Sequence, residues 1–366
     1  MISPVLSNKT LKRIKKIFPI DPAGKIFLPI IINPINIENL LKFFSNKFIA
    51  SIPNYVSYSR LLENQFIAKE LSKNNIEFKI HFFGISSTSK FEKITGTIII
   101  FPINLSLDLI NYALNQLFNL LSHPSFLLII VSNEKQRETI LNWLEDTELE
   151  YSKVKSQDKS LFVIPKFNPA DKIQSEIKDF IFKINYKKDY GELEFFSADG
   201  VFSKDKVDDG TDFLIDTIIN EGLISKNAEI IDYFAGIGII GITLSKFTDL
   251  RKIHFIESDL ISIFLLKRNL KHYQITNSIV HEMDGLIKPN IAPETIDFIV
   301  ANPPTHIKKD DFKKFLQISK KLLKSQGKLI IVINNIIPYE RSLKEHFPNP
   351  SNIISFKKGK YKIIIS

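Results

Sequence analysis

Asn302 stands between an apolar run and two prolines, in the stretch Ile296–His306 (IDFIVANPPTH). Neither Pro303 nor Pro304 can donate a backbone hydrogen bond or continue a central strand. Each also drives the residue before it into extended backbone. Asn302 is therefore expected in a stiff turn at the carboxyl end of a buried strand, where open α/β sheets hold their ligands. The Asn302 amide oxygen and the Pro303 carbonyl are both acceptors. Together they can hold a planar NH2 group, such as an exocyclic base amine or a carboxamide, and aim its nitrogen lone pair. A rigid loop with a capping asparagine is the plainer reading of the triplet when it stands alone.

A second group of residues lies upstream. Glu229–Gly241 (EIIDYFAGIGIIG) reads as a strand, a glycine turn and a helix. Gly236 and Gly238 would let the backbone approach a ligand with no Cβ in the way. Asp232, at the strand end, would hold a cationic amine. A further strand, Lys252–Ile256, ends in Glu257, the position from which an acid bonds the ribose hydroxyls of an adenosine ligand. Asp284, after a third strand at Ser278–His281, would accept from an adenine amine, although Asp-Gly also makes ordinary turns. Gly210-Thr211 opens a helix behind Asp208-Asp209, which is either an anion grip or a simple cap.

These residues need a sheet to bring them together. From Lys25 to about Lys166, strands are expected at Ile26–Ile32, Ile76–Phe83, Gly96–Pro102, Phe126–Val131 and Ser160–Ile164, with helices at Ser106–Leu121 and Glu134–Leu144. Such alternation predicts a parallel α/β domain. No glycine-rich loop follows any of these strands; Phe101-Pro102-Ile103-Asn104 stands where one would fall. The first half thus reads as a cofactor-free α/β domain over 1–170, structural or substrate-binding. A Lys-rich linker is expected over 171–190, then a second α/β domain over 191–366. Beyond the prolines, a helix is expected at Lys308–Lys324, with Gly327 as its C-cap, then strands at Lys328–Ile333 and Phe356–Ile365. The order gives a mostly parallel sheet with an antiparallel end.

Composition bounds the rest. The 366 residues carry a formal charge of +9 and a pI near 9.2, which favours a polyanionic partner such as nucleic acid. General drift toward lysine would give the same sum. Within the first fifty residues, eight basic side chains from Lys9 to Lys47 oppose only Asp21 and Glu38, a cluster able to grip phosphates. There is no cysteine, so no disulfide or thiolate metal site can form. The seven histidines show no metal-binding spacing. No apolar run reaches membrane-spanning length. No metal, no membrane partner and a cytoplasmic location are the expectations.

The second half resembles class I S-adenosylmethionine-dependent methyltransferases with an Asn-Pro-Pro-aromatic motif. More closely, it is similar to the ribosomal RNA small subunit methyltransferase C family. The family's GVFS and Asp-x-Gly-[Ser/Thr] segments are matched by Gly200-Val201-Phe202-Ser203 and Asp208-Asp209-Gly210-Thr211. Its cofactor turn is matched by Asp232–Gly238, and its Asn-Pro-Pro-aromatic-His by Asn302-Pro303-Pro304-Thr305-His306. Ile337-Pro338-Tyr339 and Gly359-Lys360-Tyr361-Lys362 echo two later motifs. Beyond Gly200 the match is specific; before it, only layout and length agree.

The resemblance implies two tandem Rossmann-like methyltransferase-type domains with seven-stranded sheets, the first without a cofactor site. It implies methyl transfer from S-adenosylmethionine to a guanine amine in ribosomal RNA or the small subunit. The cofactor would meet Gly210, Thr211, Asp232, Phe234, Gly236, Gly238, Glu257 and Asp284. Asn302, Pro303 and Pro304 would carry the chemistry, and Thr305 and His306 would meet the base. Two departures stand out. Phe234 replaces the first glycine of the cofactor loop. Thr305 replaces the aromatic whose ring would stack on the flipped base, a contact worth about 1–3 kcal/mol; His306 would have to stack instead. The same site also suits an adenine amine or a protein glutamine amide. Loss of the ring suits a ribosome-binding factor without catalysis. A dinucleotide dehydrogenase would leave the Asn-Pro-Pro triplet idle.

Overall fold

The computed structural model describes the chain apart from residues 1–4, 18–23, 30–32, 81–90, 92–93, 104, 122, 157–158, 172–180, 306, 335–338 and 348–353. It divides into two compact units, Met1–Phe180 and Ile181–Ser366.

The first unit carries strands β1 (Lys25–Leu28), β2 (Lys47–Ile52), β3 (Ile76–Ile80), β4 (Ile94–Ile100), β5 (Ser125–Val131), β6 (Ser152–Ser156) and β7 (Lys159–Phe167). They form one sheet in the order β3-β2-β1-β4-β5-β7-β6. All neighbours run parallel except around β7, which is antiparallel to both β5 and β6. Helices α1 (Asn8–Ile17), α2 (Pro34–Phe43), α3 (Tyr55–Leu62), α4 (Gln65–Ser72), α5 (Leu107–Leu120) and α6 (Glu134–Asp146) accompany it. Strand β5 is buried along its whole length, which is why its FLLIIV run shows no alternation. Sequence reasoning passed over β2 and the three short helices between β1 and β3. These helices start at side-chain caps Asn33, Asn54 and Asn64, residues that a Lys- and Asn-rich composition hides among many others.

The second unit repeats the plan. Its elements are β8 (Ile181–Lys188), β9 (Gly191–Ala198), α7 (Asp209–Asn220), β10 (Ala228–Tyr233), α8 (Ile239–Phe247), β11 (Leu250–Glu257), α9 (Leu260–His272) and β12 (Ser278–Glu282). They continue with β13 (Ile296–Ala301), α10 (Lys309–Leu322), β14 (Leu323–Asn334), α11 (Glu340–His346), β15 (Ile354–Lys358) and β16 (Tyr361–Ile365). The sheet order β12-β11-β10-β13-β14-β16-β15 is that of the first unit, position for position. Strand β10 leads to β11 on one side and pairs with β13 on the other, so the winding reverses between β10 and β13. Open parallel sheets bind ligands at such a reversal. Helix α10 buries Phe312, Phe315, Leu316 and Leu322 against this sheet, each contributing roughly 1.5–3 kcal/mol.

Three expectations are corrected. The linker drawn over 171–190 is, from Ile181 on, strand β8, hairpin-paired with β9. Its buried Ile184 and Tyr186 alternate with outward lysines, so lysine content masked a strand period. The final strand expected over 356–365 is a hairpin, β15–β16, turned at Gly359 with φ +56°. Gly327 is not a helix cap. Helix α10 ends at Leu322 with Leu323 as its cap, and Gly327 lies inside β14, where a Cβ would come within 2.8 Å of the Ile296 carbonyl oxygen.

Candidate active site

The carboxyl ends of β10 and β13 carry the two motifs. Their parallel register pairs Asp232 with Val300 and Tyr233 with Ala301, so the chain leaves both strands at the same edge of the sheet. There the glycine turn and the double-proline corner line one cavity of about 340 Å³. Phe202, Thr211, Phe234, Gly236, Glu257, Asp259, Asn302, Pro303, Pro304 and Thr305 all line it. A smaller cavity of about 110 Å³ adjoins it. The two share Phe202, Asp208, Asn302, Pro303, Pro304 and Thr305, and the smaller one reaches on to Tyr339, Lys360 and Tyr361.

The Asn302 amide is held in one orientation. Its Nδ2 donates to Asp208 Oδ2 at 3.1 Å and to Thr211 Oγ1 at 2.8 Å. Asp208 Oδ2 also accepts from the Gly210 and Thr211 N–H groups at 3.0 and 3.2 Å. An atom gathering three donors can only be an acceptor, so the nitrogen of Asn302 must face it. The amide oxygen is then the atom that Asn302 has left for an incoming donor. The Pro304 carbonyl accepts from the Ile307 N–H at 2.9 Å and closes the corner.

Across the cavity, Gly236 holds φ +55°, and a Cβ built on it meets no atom within 4 Å. Its N–H donates to Glu257 Oε2 at 2.7 Å. Glu257 Oε1 accepts from the Ser258 and Asp259 N–H groups at 2.6 and 2.8 Å. These bonds fix the carboxylate while each oxygen keeps lone-pair capacity for a further donor. Phe234 also has a positive φ, +61°. Its ring packs on Tyr233 and Phe315, and this packing holds a residue other than glycine in the left-handed region. Asp259 caps α9 through the Ile261 and Ser262 N–H groups. Burial, with Glu257 nearby, pushes its carboxyl up to about 6.

A profile of the methyltransferase small domain matches residues 192–365. The match lies within the C-terminal unit. A protein of Hahella chejuensis named ribosomal RNA small subunit methyltransferase C is 27% identical over 177 residues, covering 47% of this chain and 48% of its own. One of the same name from Haemophilus influenzae is 25% identical over 206 residues, covering 54% and 58%. The chain thus spans about half the length of the curated relatives it matches. The solved structure of T. thermophilus 16S rRNA N2 G1207 methyltransferase, in complex with AdoMet and guanosine, aligns over 100% of this chain and 93% of its own. Its TM-score is 0.72 at 17% sequence identity, a likeness of fold. The expected tandem α/β architecture stands.

Within the C-terminal unit, the sequence-predicted residues separate into those that reach the cavity and those that support it. Thr211, Phe234, Gly236, Glu257, Asn302, Pro303, Pro304 and Thr305 line it. Gly210, Asp232, Gly238 and Asp284 line neither cavity. Asp232 is fully buried and accepts from the Gly241 N–H at 2.8 Å, bracing α8 from beneath. Burial raises its carboxyl well above the usual range. Gly238 is close-packed: a Cβ there would fall 2.4 Å from Leu266 Cδ1. Gly210 and Thr211 are no anion grip, because Asp208 already takes their N–H groups. Asp284 accepts from the Leu286 N–H at 2.9 Å in its own turn. His306 lies outside the described residues.

Sequence reasoning gave Asp208 and Asn269 no role. Asn269, fully buried on α9, accepts from Phe196 N–H at 2.8 Å and donates to the carbonyls of Phe196 and Ile237. It thereby ties β9 to the glycine turn. The acid two residues before Gly210 was the visible signal for Asp208; a mid-helix asparagine gives none. Among the described residues, no cluster of three His, Cys, Asp or Glu could hold a metal, and no helix is long and apolar enough to cross a membrane.

Proposed function

We propose that the C-terminal unit transfers a methyl group from S-adenosylmethionine to the exocyclic amine of a guanine in small-subunit ribosomal RNA. One observation carries this reading. A single cavity joins Gly236 and Glu257 to an asparagine whose amide nitrogen is tied back, leaving its oxygen for the acceptor. The cradle suits the donor: Gly236 leaves the space of a Cβ open, and Glu257 can accept from ribose hydroxyls. S-adenosylmethionine supplies a methyl on a cationic sulfur, a good leaving group. The chain's own part is to hold the amine.

Asn302 Oδ1 and the Pro303 carbonyl would accept the two N–H bonds, leaving the nitrogen lone pair directed at the donor side. Positioning of this kind needs no strong base beforehand, since the amine becomes acidic only as the new bond forms. The smaller cavity, bounded by Tyr339 and Tyr361, would receive the base once it has left its stack. Ribosomal RNA is the substrate favoured by the relatives' names, and guanine the acceptor favoured by the guanosine bound in the T. thermophilus structure. The basic charge of the chain suits an RNA partner.

Transfer of labelled methyl from S-adenosylmethionine to small ribosomal subunits, or to their naked RNA, is the test, followed by nucleoside analysis. N2-methylguanosine is expected from the native protein and not from Asn302→Ala. Undiminished transfer by Asn302→Ala would remove the role assigned to that amide. Label in N6-methyladenosine or in protein glutamine would remove guanine as the acceptor.

A further inference from the structure

The family resemblance calls for an aromatic ring after the second proline, and this chain has Thr305 there. An aromatic side chain does stand beside that position, brought by a different element. Phe202 belongs to the loop between β9 and α7, and lines both the larger and the smaller cavity together with Asn302 and Thr305. It is 67% exposed, the highest value among the large hydrophobic side chains described. A single exposed phenylalanine needs no explanation by itself. Its placement does, because it lines the cavities beside Asn302, where a flat ring could meet a base.

The loop does not leave Phe202 outside by fraying. Gly200 and Ser203, on either side, hold positive φ of +94° and +51°. Ser203 Oγ donates to the Lys206 carbonyl at 2.7 Å, and Ser197 Oγ to the Lys204 carbonyl at 2.7 Å. Lys204 pairs with Asp199. A non-glycine residue held in the left-handed region costs free energy that the surroundings must offset, and such residues cluster at ligand sites. Here the held backbone keeps a ring out of the core and in the lining that the two cavities share.

We infer that Phe202 is the stacking platform for the acceptor base, replacing the ring that Thr305 lacks. The inference rests on the methyl-transfer reading for its substrate, a purine base drawn out of RNA. Stacking on an aromatic contributes about 1–3 kcal/mol per base, so Phe202→Ala should lose about five- to 150-fold in kcat/KM for RNA. Affinity for S-adenosylmethionine, read by calorimetry, should not change. The fold should not suffer, since so little of the ring is buried. Phe202→Tyr should keep activity, and Thr305→Tyr should rescue Phe202→Ala.

A second readout does not depend on methyl transfer. The chain has one tryptophan, Trp143, buried in the first unit. In Phe202→Trp, guanosine should quench the new exposed indole emission saturably, and ribose alone should not. Native-like transfer by Phe202→Ala, or emission indifferent to guanosine, would overturn the inference. Quenching by guanosine in a protein that transfers no methyl would instead uphold the platform and remove the proposed reaction.

Discussion

Replacing Thr211 with valine tests whether the orientation of the Asn302 amide matters. The two side chains are nearly isosteric, and Thr211 is only 7% exposed, so the fold should be kept. The loss is one acceptor, Oγ1, 2.8 Å from Asn302 Nδ2. The bond to Asp208 at 3.1 Å remains. A neutral hydrogen bond contributes about 0.5–1.5 kcal/mol net, so the amide should turn or tilt in part of the population and kcat should fall about two- to tenfold. Thr211→Ser, which keeps the hydroxyl, should behave like the native protein. Asp208→Asn keeps the cap on α7, because asparagine caps as well as aspartate, and removes only the charge. The double variant should lose more than either single one, because Asp208→Asn weakens the charge-assisted bond that alone holds the amide once Thr211 Oγ1 is gone. Single-turnover methyl transfer gives the rate, and calorimetry gives S-adenosylmethionine affinity. A Thr211→Val protein with native kcat would refute the holding role. One with native kcat and weakened cofactor binding would return Thr211 to the cofactor contact that the sequence alone suggested.

The two glycines of the turn should fail differently. Gly236→Ala places a Cβ in open cavity space at φ +55°; S-adenosylmethionine affinity should fall about tenfold or more, or ~1.4 kcal/mol, with about 1–2 kcal/mol of strain on stability. Gly238→Ala drives a Cβ against Leu266 and Ile242; overpacking costs about 1–3 kcal/mol, so the melting temperature should drop several degrees even without ligand. Asp259→Asn should stabilise the protein in alkali. Burial pushes the Asp259 carboxyl up to about 6, so its charge opposes folding above that pH and has no effect below about 4, where both states are protonated. The variant should gain about 1–2 kcal/mol at pH 8, with partial exposure of the side chain screening some of the penalty, and the gain should fade through pH 6 and vanish below 4. Melting curves across pH would check it, and a gain that persisted at pH 3.5 would contradict the assignment.

Strand and helix periodicity made the two α/β units legible, and the missing glycine loop separated them by type. Which strands touch was less accessible. Strands β10 and β13 lie 68 residues apart in the bond from Glu229 N–H to Asp297 Oδ2, with β11 and β12 between them in sequence. Only the winding order makes them neighbours. The hairpin β8–β9 was lost because its lysines resemble those of a linker. Sequence position also said nothing about depth: Asp232 and Glu257 both end strands, yet one is sealed under the helix and the other faces the cavity.

The hardest distinction was between helix starts that serve themselves and one that is open. Three helices begin around the larger cavity. An acid closes α7, with Asp208 on the N–H groups of Gly210 and Thr211. Another closes α9, with Asp259 on those of Ile261 and Ser262. At α8 the cap is Gly238, in the left-handed region, with no side chain of its own to bond the first turn; Asp232 takes the Gly241 N–H from the strand behind. Ile239 and Ile240 there line the cavity. Of the three, α8 is the one whose first two N–H groups, those of Ile239 and Ile240, have no capping acid ahead of them in the chain. The sequence does hold this difference. Asp208-Asp209-Gly210-Thr211 and Asp259-Leu260-Ile261-Ser262 each carry their own acceptor two and three residues ahead of the donors, whereas Gly238-Ile239-Ile240-Gly241 carries none. An acid just before a helix start thus argues against an anion site at that start, because the side chain already takes the N–H groups an anion would need.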